Sequence, residues 1–222
     1  LRLKNAMQRV SGRRLLVQGR HSIGITEAIG IAERGGGLVL EQVLTRECGS
    51  VEGFSRSVCE DEVIDESFEV VREIRQSSAA SLRGLENLLV ALSVIEGPKT
   101  LILMSESLVL DTPGQLDAAI HAAAFARVTI NVLLMDVEQN DVSLRQLSPT
   151  VNDDRRMQVA GLENLAAASR GSLYQVVGSG ESVFDRLAGD MLTYYMLGVE
   201  QEPGDRDGRA HRIDVEVRRR NV

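Results

Sequence analysis

The polar segment Ser105-Glu106-Ser107 directly follows the apolar run 99–104 and is the first candidate for a functional site. A Gly-Pro pair bounds the run on its N-terminal side, and a short apolar run with such a boundary is typical of a fully buried strand in a parallel sheet. In open α/β sheets, ligands bind just beyond the carboxyl ends of the strands. We therefore expect the segment at the place where such a sheet carries its chemistry.

A second group of polar residues follows the next apolar run, Val128–Met135. Asp136, Glu138 and Asp141 come directly after it, and the carboxyl ends of parallel strands meet at one edge of a sheet. These carboxylates are expected on the same edge as Glu106, where they could contribute to a surface that binds a cation or an arginine side chain. A solvated acidic loop is the alternative explanation.

The motifs of catalysis are incomplete. Gly178-Ser179-Gly180 follows a predicted strand and opens a helix, but Val183 stands where a dinucleotide fingerprint needs its third glycine. The three histidines lack metal-ligand spacing, and the sequence has no Gly-x-Ser-x-Gly elbow. We therefore predict a non-catalytic protein, with an α/β hydrolase or nucleotide-binding enzyme as the alternative.

Strands and helices alternate through most of the chain. Strands are predicted at 99–105, 128–135 and 172–177, and helices at 38–47, 60–96, 113–126, 152–171 and 180–190; the segment 20–33 is predicted to start as a loop and become a short amphipathic helix. This order implies a mainly parallel, Rossmann-like α/β sheet flanked by helices. Two further segments, 192–200 and 211–219, alternate in polarity and predict a C-terminal antiparallel hairpin.

The helix at 60–96 is unusually long. Ser57 and Glu60 form a capping-box pattern at its start, and Gly97-Pro98 ends it. Because a helix of this length exceeds the width of a small sheet, it must overhang the sheet or bend near Ser77-Ser78. It also offers a third function, a structural or assembly role in which the helix is a docking arm.

The 222 residues suffice for one good-sized α/β domain, and 43% of them are hydrophobic. The net charge of -7 argues against a nucleic-acid surface, and the sequence has no apolar run long enough to span a bilayer. Cys48 and Cys59 flank the ten-residue loop 49–58. This spacing suits a local disulfide and hence an extracytoplasmic compartment, with two free buried cysteines as the alternative.

Four segments match the pattern of one known family when their order is considered. They read Pro-Lys-Thr-Leu-Ile-Leu-Met-Ser-Glu at 98–106, Val-Thr-Ile-Asn-Val-Leu-Leu-Met at 128–135, Leu-Ala-Ala-Ala-Ser-Arg-Gly-Ser-Leu-Tyr-Gln-Val-Val at 165–177, and the terminal pair 194–199 and 211–217. The chain thus resembles the von Willebrand factor A (vWA)-type domain, and within it the bacterial VWFA-related subgroup. The resemblance covers residues 80–222 well and residues 1–79 poorly.

The resemblance implies a divalent cation at the carboxyl edge of the sheet, which recruits an acidic group of a protein partner. In the family, the cation is held by an Asp-x-Ser-x-Ser motif, a threonine from a second loop, and the aspartate after the central strand. Here the first motif is missing, only Ser22 or Thr26 can replace the threonine, and Glu106 followed by Ser107 stands where the family has Asp-Gly. The site implied is degenerate, with Glu106 as the candidate ligand for Mg²⁺ or Ca²⁺.

These observations predict one vWA-like domain over residues 1–222, incomplete at its N-terminus. The Cys-tethered loop and long helix occupy 48–96, and the hairpin occupies 191–222. The predicted function is binding of an unidentified protein partner or a ligand, without catalysis and with no cofactor beyond the candidate cation. The candidate binding edge consists of Ser22, Thr26, Ser105, Glu106, Ser107 and Asp136.

Overall fold

The computed structural model describes residues 20–35, 37–135, 149–176, 181–192 and 204. The chain divides into two compact units, 1–180 and 181–222. The elements of the first unit are α1 (Ile25–Arg34), α2 (Gly37–Cys48), α3 (Phe54–Leu92), β1 (Lys99–Ser105), α4 (Asp117–Phe125), β2 (Val128–Met135), α5 (Val151–Ala168) and β3 (Leu173–Val176). In the second unit the structure describes the helix α6 (Glu181–Leu192).

The sheet is parallel and has the strand order β1-β2-β3. Leu101 pairs with Ile130 and Leu103 with Val132, which places these side chains on one face. That face packs against α3, α4 and α5 in the main hydrophobic core of the unit. All three strands lie within one residue of their predicted positions. The prediction of a fully buried strand at 99–104 is wrong, because alternate residues of β1 face away from this core: Ile102 is 38% and Met104 47% exposed.

The predicted fold class is wrong, although an α/β class in the broad sense is compatible with the structure. The described residues are 64% helical and comprise six helices and a sheet of only three strands, all of them parallel, rather than a Rossmann-like sheet domain with an antiparallel hairpin. Leu192, the predicted first residue of the hairpin, lies in α6. The rest of the predicted hairpin, 193–200 and 211–219, is outside the described residues.

Helix α3 joins two hydrophobic cores. Its 39 residues make it about 58 Å long, and it is continuous through Ser77 and Ser78. The N-terminal half packs against α1 and α2 through residues such as Val63 and Val71, whereas Leu85 and Leu89 pack on the sheet. The half that extends past the sheet is therefore covered by α1 and α2.

The predicted start of the long helix is wrong. Helix α3 begins at Phe54 after Gly53, whose φ of 64° favours glycine. Ser57 lies inside the helix, and Glu60 pairs with Arg56 at 2.9 Å across one helical turn instead of closing a capping box. The sequence does not distinguish the two patterns, because Glu60 is correctly spaced both for a capping box with Ser57 and for an ion pair with Arg56.

The disulfide between Cys48 and Cys59 is present and confirms the predicted pairing. Cys48 is the last residue of α2 and is fully buried, while Cys59 lies in the second turn of α3. Val43 and Val63 are buried in the same cluster. The bridge therefore ties α2 to the part of α3 that extends beyond the sheet.

Opening the bridge is expected to lower the free energy of unfolding by about 2.5 kcal/mol, because a closed loop of this length restricts the unfolded chain. Denaturant unfolding with and without a reductant measures this difference. Thiol labelling of the unfolded, unreduced protein is the accompanying check, with no labelled cysteine expected. Two labelled thiols would contradict both the bridge and the compartment inferred from it.

Candidate functional site

The predicted segment Ser105-Glu106-Ser107 lies at the surface, where β1 ends. The Ser105 hydroxyl donates a hydrogen bond to the Ser107 carbonyl oxygen at 3.1 Å, which forms a tight turn. Glu106 and Ser107 are exposed, while the next two residues, Leu108 and Val109, are buried. The segment is thus an exposed turn between a strand and an anchored loop.

Helix α5 anchors the loop that follows this turn. The Leu108 N–H donates to the Gln158 carbonyl oxygen at 3.0 Å. Close approach requires the glycine at position 161, since a Cβ atom there would lie 1.9 Å from the Leu108 carbonyl oxygen. The loop and the helix therefore contact each other backbone to backbone.

Asp154, one turn before Gln158, connects α5 to the start of α1. Its carboxylate is 8% exposed and accepts hydrogen bonds from the N–H groups of Ile25 at 3.1 Å and Thr26 at 2.7 Å. The Thr150 hydroxyl donates to the same carboxylate at 3.3 Å. Asp154 satisfies two of the N–H groups that a helix leaves unpaired at its start, and its negative charge suits the α1 dipole.

The hydroxyl of Thr26 is buried and has no hydrogen-bond partner among the described residues. A buried hydroxyl without a partner costs about 1–3 kcal/mol, and native proteins rarely keep such groups without a bound water, an ion or a functional reason. Thr26 is also one of the two residues predicted to replace the metal-binding threonine. Among the predicted binding residues, Thr26 is therefore the one whose side chain most needs a partner.

Replacing Thr26 by valine is expected to raise the free energy of unfolding by about 1 kcal/mol, because the variant keeps the shape of the side chain and removes an unpaired buried hydroxyl. Thermal or denaturant unfolding measures this change. Thr26→Ser is the matched control, since it keeps the hydroxyl and loses the methyl group. A valine variant that is less stable than the serine variant would show that the hydroxyl is satisfied inside the protein.

Ser22 and the loop before α1 are held by an ion pair between the buried Glu27 carboxylate and the exposed residue Arg46. The Arg46 guanidinium donates to both oxygens of Glu27, at 2.8 and 3.0 Å, and to the Ser22 carbonyl oxygen at 3.0 Å. Glu27 also accepts a hydrogen bond from the Gly24 N–H at 3.0 Å. The bond to Glu27 raises the pKa of Arg46 above its ordinary value, outweighing burial, which lowers it; Glu47 adds to the increase.

A second arginine connects two helices to the loop after β1. Arg75 of α3 pairs with Glu33 of α1 and with Asp111 of the loop after β1. The hydrogen bond to Asp111 is the main cause that raises the pKa of Arg75, and Glu33 adds to it. The Arg75 guanidinium thus links α1, α3 and the loop after β1.

The structure connects the elements that carry Thr26 and Glu106 through the first three turns of α5. Asp154 holds the start of α1, while Gln158 and Gly161 hold the loop after Glu106. Among the described residues, no group of three or more His, Cys, Asp or Glu side chains is arranged to hold a metal ion. Asp136 lies outside the described residues.

Sequence reasoning missed Asp154, Glu27 and Gly161. It predicted a helix that begins at residue 152, whereas α5 begins at Val151 after Thr150. Acidic residues in a first helical turn ordinarily interact with their own helix, but Asp154 caps a helix 129 positions away. The position of Asp154 in the first turn of α5 was the only sequence feature that indicated a capping role. Nothing in the sequence of α1 indicated that another helix supplies its cap.

No protein-family model matches the chain, and neither the curated proteins nor the solved structures include one that is similar to it. None of the helices in the described part of the chain is both long and apolar enough to cross a membrane. The geometry of the described residues therefore carries the functional argument.

Proposed function

We propose that the chain is a non-catalytic binding module whose metal site is degenerate. It binds a protein partner through the edge surface, which comprises Ser22, Thr26, Ser105, Glu106 and Ser107. The observation that supports this most is the buried, unpaired hydroxyl of Thr26 at the start of α1. A polar group of the partner that reaches this hydroxyl would offset its cost.

The surroundings of the edge surface suit recognition better than turnover. Glu106 and Ser107 are exposed on a tight turn, so they are accessible to a large partner. The loop that carries them is held by backbone contacts to α5, and the start of α1 is held by Asp154. Such pre-organisation lowers the entropic cost of binding.

Photo-crosslinking from three positions tests this proposal. A photoreactive amino acid replaces Ser107 on the edge surface, Val94 at the far end of α3, or Leu38 on α2, and the chain is exposed to lysate of the source cells. We expect one protein to be crosslinked from Ser107 alone, and the crosslink to be lost when Glu106→Ala is added. Equal crosslinking from Leu38 would show that the edge surface has no special role.

The degenerate metal site makes its own prediction. Calorimetric titration of Mg²⁺, Mn²⁺ or Ca²⁺ is expected to show no saturable binding, because too few of the family's oxygen ligands are present in the sequence. Glu106→Ala should change the free energy of unfolding by less than about 0.5 kcal/mol, since Glu106 is exposed. Saturable binding that disappears in Glu106→Ala would instead mean a metal-dependent adhesion module.

A second function, docking through α3, is favoured by the exposed apolar residues near its C-terminal end. Val90 is 58% exposed, and in the turn beyond the helix Val94 is 83% and Ile95 53% exposed. Apolar side chains grouped in this way often mark an interaction site. Crosslinking from Val94 rather than Ser107 would favour this function over the edge surface.

The compartment proposed for the module is extracytoplasmic. The disulfide supports this, because such bridges persist mainly in oxidising environments. Location of the full chain by cell fractionation tests the assignment. Recovery in the cytosolic fraction with the bridge closed would contradict it.

A further inference from the structure

The disulfide has a histidine beside one of its sulfurs. The Nε2 atom of His21 lies 3.9 Å from the Sγ atom of Cys59. The other ring nitrogen, Nδ1, lies 2.9 Å from Glu66 Oε2, and the His21 N–H donates to both oxygens of Glu66 at 3.3 Å. Glu66, His21 and Cys59 are thus connected by consecutive side-chain contacts.

Glu66 fixes the orientation of the imidazole. With Nδ1–H donated to the carboxylate, the lone pair of Nε2 faces the sulfur of Cys59. The two side chains are only 9% and 14% exposed, so the surrounding protein holds them in place. A closed disulfide carries no proton. His21 can therefore accept a proton from Cys59 only when the bridge is open.

The two sulfurs of the bridge are not equivalent. Cys48 is fully buried, whereas Cys59 is half-buried and next to His21. An external thiolate therefore reaches Cys59 more readily. In the reduced protein, Cys59 is the thiol that His21 can deprotonate, and neighbouring imidazolium groups are among the features that make a cysteine reactive.

We propose that Cys48 and Cys59 are a redox-active pair that exchanges with an external dithiol, with Cys59 as the attacking and attacked sulfur. A dithiol thiolate attacks Cys59 Sγ, the Cys48–Cys59 bond breaks, and Cys48 leaves as the thiolate and takes up a proton. The second thiol of the dithiol then attacks the mixed disulfide and releases Cys59. The chain gains two electrons and two protons, and the dithiol becomes a disulfide.

In the reverse direction, the Cys59 thiolate attacks an external disulfide, and Cys48 closes the bridge and releases two thiols. His21 accepts the proton of Cys59 in that direction, while Glu66 is a positioning residue that acts through His21. This activity does not depend on the edge surface.

Alkylation of the folded, reduced full-length chain tests the proposal. Iodoacetamide is added at neutral pH, and mass spectrometry follows each cysteine separately. We expect Cys59 to react about tenfold faster than Cys48 and faster than the cysteines of the urea-unfolded chain. His21→Gln should remove this advantage, Glu66→Gln should reduce it, and Arg72→Gln, an exposed change farther along α3, should leave it intact.

Three results would overturn the proposal. They are a bridge that excess dithiothreitol does not open in the folded protein, a reactivity of Cys59 equal to that in the unfolded chain, and a rate for Cys59 that neither His21→Gln nor Glu66→Gln changes. Because the unfolding midpoint of each oxidised variant is measured as well, a merely structural role of His21 would appear as lost stability with unchanged Cys59 reactivity.

Discussion

Gly161→Ala is expected to lower the free energy of unfolding by about 3–5 kcal/mol. A Cβ atom at this position would lie 1.9 Å from the carbonyl oxygen of Leu108 and 2.9 Å from its carbonyl carbon. Both are backbone atoms, so no side-chain rotation relieves the contact. Either α5 or the loop after β1 must move, and both pack on the main core through residues such as Leu108 and Leu162.

Gly84→Ala is the matched control, because Gly84 also lies inside a helix but a Cβ atom there meets nothing within 4 Å. This change should raise the free energy of unfolding by about 1 kcal/mol, since alanine favours a helix more than glycine does. Urea unfolding of both variants gives the comparison. Similar stabilities for the two would show that the contact between α5 and Leu108 is looser than the structure has it.

The same substitution links stability to the edge surface. The Leu108 loop begins two residues after Glu106, and its position depends on the close approach that Gly161 permits. In the fraction of Gly161→Ala that remains folded, we expect weaker crosslinking from Ser107. Crosslinking from Val94 should be unaffected, because Val94 lies at the far end of α3.

The three strands could be predicted because each is a short segment of mainly apolar residues between turn signals, a pattern with few alternatives to a strand. Helix ends were harder, since capping depends on single contacts. Ser57 and Glu60 fit a capping box, but α3 extends back to Phe54, where the positive φ of Gly53 ends the preceding turn. The fold class was wrong for a related reason: sequence periodicity identifies elements, whereas the number and direction of strands in a sheet depend on long-range pairing.

The candidate site, like the fold, could be predicted only in part from the sequence. The turn at Ser105 to Ser107 follows from the end of a strand, and Thr26 was a candidate through a family resemblance. The contacts that hold these residues are long-range, between Asp154 and α1 or between Glu66 and His21, which are 45 positions apart. A single carboxylate in a charged sequence does not indicate which distant group it meets.

Glu27→Ala is expected to lower the free energy of unfolding by about 3 kcal/mol, because it removes a buried carboxylate that accepts three hydrogen bonds, two of them from the Arg46 guanidinium. Glu27 is 7% exposed, and Arg46 would keep only its weaker contacts with Glu47 and the Ser22 carbonyl oxygen. The N–H of Gly24 would also lose its acceptor. Chemical denaturation measures the loss.

Glu69→Ala is the control for this effect, since Glu69 pairs with Arg72 in an exposed ion pair at 3.3 Å whose side chains are 69% and 74% exposed. Exposed pairs contribute at most about 1 kcal/mol. The double variant Glu27→Ala/Arg46→Ala should lose less than the sum of the two single variants, because Arg46→Ala alone leaves the buried Glu27 carboxylate without its cation and the double variant does not. Additive losses would mean that the two side chains stabilise the loop before α1 independently, and that its geometry does not depend on their pairing.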